Sequence, residues 1–298
     1  MKRTTIFKAS LFSAAAVLLA ACSAGVQTTS GQSYLDRYSE QTRHYQPRTA
    51  SVSSMASETS TGGLTATAPG TLAPDIAMAA SVEPILEFPA RIGLVRLEDG
   101  RLSTIPPAEV KSWRTLAERL GPEFGELVPI SPLIIGLATQ EIDARMQHGR
   151  DHRSVRGGGL IHDIRIGAAR QHTDAVLIYE TSAKSENTSN PLAVTKLLLV
   201  GFWLAPTQYL EATATTSAML VDVRNGYTYG TALGIAGDPA STLSTSVNER
   251  EAIGHVEYRS KARAVAALTK EVEQLARDLR VGLAESRVAR FKATQTPR

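Results

Sequence analysis

The chain has 298 residues, 43% hydrophobic and 20% charged, which excludes a disordered or fibrous protein and leaves enough apolar material for a buried core. Its formal charge of +3 comes entirely from Lys2, Arg3 and Lys8; beyond residue 21 it holds 29 basic and 29 acidic side chains, a balance that gives no footing for nucleic-acid binding. Cys22 is the single cysteine, which excludes an internal disulfide framework.

The early cations are followed by an apolar run from about Ala9 to Ala21, the layout of an export signal and too short to cross a bilayer. Leu19, Ala20 and Ala21 stand immediately before Cys22, and this stretch resembles the bacterial lipobox. The resemblance implies a signal peptide over 1–21, a diacylglycerol on the Cys22 thiol and a further acyl chain, such as palmitate, on its amino group. Several buried acyl chains hold a protein at a membrane where one does not, at about 0.8 kcal/mol per methylene. Ser23 in place of an Asp implies sorting to the outer membrane, with the domain facing the periplasm.

From residue 22 to about 84 large apolar side chains are scarce, and "TASVSSMASETSTGGLTATAPGT" is mostly Ser, Thr, Ala, Gly and Pro with scattered hydrophobes. Such a composition buries too little surface to offset its ordering entropy, so the segment reads as a tether spanning roughly 40 Å as a coil. Within it, "YLDRYSEQTRHYQPR" reads either as a short helix or as a piece docked on the domain.

Regular patterning begins near Ile85 and gives a domain over 85–292 with a tail at 293–298. "ARIGLVRLE" (90–98) is an aliphatic strand. After Pro106 and Pro107, Val110, Trp113, Leu116, Ala117 and Leu120 recur at helical spacing and Gly121 supplies the stop. "GELVPISPLII" gives a second short strand. "TQEIDARMQHG" and "GGGLIHDIRIGAARQH" are helical, and "TDAVLIYETSAK" is a buried strand. "YLEATATTSAMLVDV" and "YTYGTALGIA" flank Asn225 and Gly226, a pair that favours positive φ at both positions and a tight hairpin. Residues 249–288 form a long helix whose Val265, Leu268, Val272, Leu275 and Leu279 make one apolar stripe. This order predicts an α+β fold: a mixed, largely antiparallel sheet covered by helices on one face, a long carboxy-terminal helix, and a disordered tether in front.

The strand around Asp174–Tyr179, the apolar segment ending at Pro206 and the strand running from Met219 to the Gly226 turn together resemble the rhombotarget lipoprotein family, bacterial lipoproteins of unassigned activity. "RIGLVRLE" also fits that family's first strand, and the likeness extends over about 200 residues. More distantly the layout resembles the α+β domains of the curli secretion channel lipoprotein and of the Tol translocation protein's amino-terminal part. What the resemblance implies is an assembly or docking unit of the cell envelope, not an enzyme.

The residues bear on chemistry as follows. His148, His152 and His162 are the candidate metal ligands, since imidazoles four apart share a helix face. Gly149 and the surrounding charges favour a solvated loop instead, and no HExxH or cysteine pattern accompanies them. Arg150, Arg153 and Arg156 before three glycines suit an anion at a helix start, but neither a Walker nor a GxGxxG pattern is present. No GxSxG elbow and no cofactor signature appears. Residues 192–205 are apolar except for Thr195 and Lys196 and lack strand alternation. They form either a core strand or a surface for a partner or membrane, with Leu197, Leu198, Leu199, Phe202 and Trp203 as its candidate contacts. From Arg259 to Lys292 there are nine Lys or Arg against four Asp or Glu, which suits an acidic partner or a solvated back face.

The sequence thus predicts a non-enzymatic outer-membrane lipoprotein. It meets the membrane through acylated Cys22, binds envelope proteins and no nucleic acid, and uses no cofactor. The alternatives are a homo-oligomeric component of a secretion or envelope-stress system and, third, a metal-dependent enzyme.

Overall fold

A computed structural model describes residues 25–44, 74–137, 140, 159–189, 208–242 and 249–295. In chain order these form β1 (Gly25–Val26), α1 (Gly31–His44), α2 (Pro74–Ala80), β2 (Ala90–Glu98), β3 (Arg101–Ser103), α3 (Pro107–Leu120) and β4 (Gly125–Pro129). They continue with α4 (Leu160–Arg170), β5 (Ala175–Ser189), β6 (Gln208–Asp222), β7 (Thr228–Thr242) and α5 (Glu249–Gln295).

One seven-stranded sheet runs β1-β7-β6-β5-β2-β3, with β4 also paired to β2. β2 is parallel to both β4 and β5, and every other pairing is antiparallel. The sheet is therefore mixed and mostly antiparallel, and the expected α+β architecture is the one observed. β5 and β6 form a 15-residue pairing from Ala175↔Asp222 to Ser189↔Gln208, and β7 accompanies β6 over the same length.

Helices lie on both faces, which differs from the one-faced expectation. On the first face, Ile92, Leu94, Leu177, Tyr179, Leu220 and Tyr229 pack against Trp113 and Leu116 of α3 and against the α5 stripe Val265, Leu268, Val272, Leu275 and Leu279. On the second, Val95, Val176, Ile178 and Val221 pack against Ile164 and Ala168 of α4 and against Ile130 and Ile135. The reason is legible in β2 and β5. Their middles are apolar at consecutive positions, as expected of strands covered on both sides, and only one side of that run belongs to α3 and α5.

The hairpin at Asn225 and Gly226 is looser than a two-residue turn. Only Gly226 has a positive φ, 78°, and the loop occupies residues 223–227. The Asp222 side chain shapes it by accepting the Arg224 and Asn225 amides at 2.8 and 3.3 Å, a task the Asn-Gly pair alone does not reveal.

Part of the segment read as tether is ordered on the domain: β1 joins the edge of β7, α1 follows it, and residues 74–84 lead into the sheet. Composition misses this because a strand of two residues is held by backbone hydrogen bonds, not by apolar side chains.

Candidate functional site

Three constellations concentrate the chemistry of the described residues. The first is buried between sheet and helices. Period-2 geometry puts Arg96 on the same face of β2 as Ile92 and Leu94, so its guanidinium enters the core and needs partners there. Arg96 is 3% exposed, and its Nε donates to Glu109 Oε2 on α3 at 3.0 Å. Its Nη1 donates to Glu98 Oε2 and to Ser103 Oγ, both at 2.8 Å. Glu109, 2% exposed, also accepts the Tyr179 hydroxyl at 2.8 Å, and the Tyr179 ring stands 5.0 Å from that of Trp113. Lys261 of α5 completes the chain by donating to Glu98 Oε1 at 2.8 Å.

Burial pushes the Glu109 carboxyl above the usual carboxylate range, although Tyr179 and Arg96 both donate to it. Hydrogen bonds from Arg96 and Lys261 hold Glu98 down at about 2. Burial, joined by the charge of Glu109, pushes the Tyr179 phenol up. An acid, a phenol and a guanidinium in contact have the elements of an acid–base site, yet all three are sealed in the core. What the network does is bind β2, α3, β5 and α5 to one another.

The second constellation fastens the beginning of the domain to the β6–β7 turn. The Tyr229 hydroxyl donates to Asp222 Oδ2 at 2.8 Å and accepts the Ile85 and Leu86 amides at 3.1 and 2.8 Å. Asn225 Nδ2 donates to the Glu83 carbonyl at 2.6 Å. Glu83 Oε1 in turn accepts Ser30 Oγ at 2.7 Å and the Gln32 amide at 3.0 Å, while the Tyr227 hydroxyl donates to the Thr29 carbonyl at 3.0 Å. Burial pushes Tyr227 up to about 12.

The third is open. A cleft of 530 Å³ lies on the second face of the sheet beside α4, lined by Leu97, Ile161, Ile178, Met219 and Leu233 with Glu180 at its rim. Further along that face Thr213, Thr215 and Ser217 are exposed. On β7, Leu233 is 38% and Ile235 55% exposed, and beyond Thr231 no described strand pairs with the outer edge of β7. This is the described surface best suited to meeting another body.

Of the residues singled out by sequence, His162 is exposed on the first turn of α4, and no cluster of three potential metal ligands occurs among the described residues. Cys22, His148, His152, Leu197, Leu198, Leu199, Phe202 and Trp203 lie outside the described residues. Ser189 and Gln208, the described residues on either side of 190–207, pair with each other at the end of β5 and β6. Sequence reading missed Glu109 and Tyr179. The available signal was Arg96, a charge at a core position of an aliphatic strand.

No protein family matches the sequence, and no curated protein does. Among solved structures the chain is similar to the C-terminal domain of LpoB from Salmonella enterica, with 13% identity, a TM-score of 0.26, and coverage of 50% of this chain and 84% of that one. It is similar to the PelC dodecamer from Paraburkholderia phytofirmans at 11% identity and a TM-score of 0.26, covering 63% and 86%. Lipoprotein GNA1162 from Neisseria meningitidis matches at 16% identity and a TM-score of 0.22, covering 57% and 94%. At these scores the likeness carries nothing about activity or partners. The rhombotarget resemblance rests on the residues alone. No described helix is long and apolar enough to cross a membrane.

Proposed function

We propose that this protein is a non-enzymatic bacterial lipoprotein, acylated at Cys22 and anchored to the outer membrane, whose α+β domain docks other proteins of the cell envelope. The observation that carries the reading is the short apolar export run closing in Leu19, Ala20 and Ala21 before the single cysteine. It is supported by the use of the buried ionisable groups: Arg96, Glu109, Tyr179, Asp222 and Tyr229 are partnered within the fold. The open cleft beside α4 is the docking surface, because its apolar lining meets solvent next to exposed Ile161.

Mass spectrometry of the membrane-extracted protein is expected to find an amino terminus at Cys22 carrying three acyl chains, and Cys22→Ala is expected to leave the membrane fraction. An unacylated terminus, or one that starts elsewhere, refutes the anchoring. A photo-cross-linker at Ile161 is expected to capture one specific envelope protein. A self-adduct there favours instead the oligomeric component of a secretion or envelope-stress system, and absence of any specific adduct refutes docking through this cleft.

A further inference from the structure

The point where β1 joins the sheet limits how far the domain can stand from its anchor. β1 pairs Gly25 with Thr231 and Val26 with Gly230, and the Gln27 amide donates to the Tyr229 carbonyl at 2.8 Å. The residues that follow are fastened as well. Tyr227 holds the Thr29 carbonyl, and Ser30 holds Glu83, which also meets Arg290 of α5 at 3.3 Å. Cys22 is three residues before Gly25. Three residues of fully extended chain reach about 11 Å. Gly25, the first residue of β1, pairs with Thr231, four residues before Ile235, whose exposed side chain stands on the second face of β7 outside the cleft lining, where no described strand covers the edge.

We infer that the domain is held close to the lipid surface, with the β7 edge at Ile235, outside the docking cleft, resting on the bilayer. The inference depends on acylation of Cys22. One exposed apolar side chain is a weak membrane contact by itself. A tie of about 11 Å changes that, because it keeps the edge at an effective concentration that a tether of some 60 residues would dilute severalfold. The outward-pointing amides of the edge meet acceptor oxygens of the headgroups, which satisfies a backbone row that would otherwise invite another strand. The partner-binding reach of the protein is set by the domain's own dimensions and not by a leash.

The test uses the mature chain, 22–298, coupled through its only thiol to vesicles of phosphatidylethanolamine and phosphatidylglycerol containing a maleimide-headgroup lipid and brominated phosphatidylcholine. Chemical coupling makes the result independent of whether cells acylate Cys22, which the mass spectrum decides separately. In a background with Trp113→Phe and Trp203→Phe, verified as folded by circular dichroism, Ile235→Trp is expected to lose at least half its fluorescence to the bromine. Leu133→Trp is the control: it is exposed just after β4, which pairs on the far side of β2, and it is expected to stay unquenched. Ile235→Trp remaining as unquenched as the control, while the protein floats with the vesicles, overturns the inference. Equal quenching of both overturns the orientation. Blue-shifted emission from Ile235→Trp without quenching also overturns it, and would mean that protein, such as a second copy, covers the edge.

Discussion

Arg96 and Glu109 show how a charge enters this core and what holds it there. Each is almost wholly buried, and together with Tyr179, Glu98 and Ser103 they satisfy one another's hydrogen bonds. Removing one member of a buried pair strands the other, a loss of about 3–5 kcal/mol, whereas replacing both with apolar groups is often close to neutral. Arg96→Met should therefore destabilise the domain by about that amount in urea unfolding, and Arg96→Met with Glu109→Leu should recover most of it. A double variant as unstable as the single one would show that Arg96 acts through its other partners. At this scale sequence reading succeeded for the apolar positions. Trp113, Leu116, Leu120 and the five residues of the α5 stripe are all buried as their spacing implied. It failed for Glu109, because a carboxylate in the first turn of a helix is ordinary on a surface and nothing local marks this one as facing inward.

At the scale of elements, the defining contact is α5 lying along β6 and β7. The strand face beneath it is made of small residues: Ala212, Ala214, Thr216 and Ala218 on β6 are buried, while Glu211, Thr213, Thr215 and Ser217 between them are exposed. Small side chains let the helix axis come close, and the closest approach is at Gly234 of β7. A Cβ there would run into the Ala264 carbonyl and stand 2.6 Å from the Leu268 amide, both helix backbone that cannot swing aside. Gly234→Val should thus cost about 1–3 kcal/mol or more by overpacking, seen as a lower thermal midpoint with helix content retained. An unchanged midpoint would mean that α5 sits further from the sheet. "EATATTSA" lies in a run that reads as a strand beside the Asn225-Gly226 turn, but the small residues that alternate in it show their purpose only once the helix above them is known.

For the whole molecule, α5 is stitched to distant parts of the chain by carboxylates. Glu98 meets Lys261, Asp238 meets Arg259 at 2.6 Å and Arg263 at 2.5 Å, Glu273 meets Arg119 at 2.7 Å, and Glu83 meets Arg290. Burial pushes Asp238, Glu273 and Glu83 up, but their hydrogen bonds and cations outweigh it and leave all three below the usual range; for Glu98 the Arg96 and Lys261 hydrogen bonds lead. A carboxylate whose folded pKa lies below its unfolded value adds stability above the unfolded pKa and loses it as the pH falls toward the folded one. Unfolding free energy should therefore fall between pH 4.5 and about 2, the window that Glu98 defines, and Glu98→Gln should flatten that decline. Glu109 runs the other way and above that window: its raised pKa makes stability rise as the pH falls from its folded value toward 4.5, and Glu109→Gln should remove that rise. Denaturant titrations at stepped pH measure both slopes.

The sequence by itself determined the α+β class, the helices in "AEVKSWRTLAERLG" and "GGGLIHDIRIGAARQH" and the apolar stripe of α5, because each is a local pattern of residue type and spacing. Tertiary structure alone decided that the sheet is covered on both faces, that Arg96 needs Glu109, and that Gly25 and Val26 pair with Thr231 and Gly230 of β7. Those are pairings between segments far apart in the chain, made by backbone groups that every residue carries and by charges whose burial depends on what folds over them, so no local pattern encodes them.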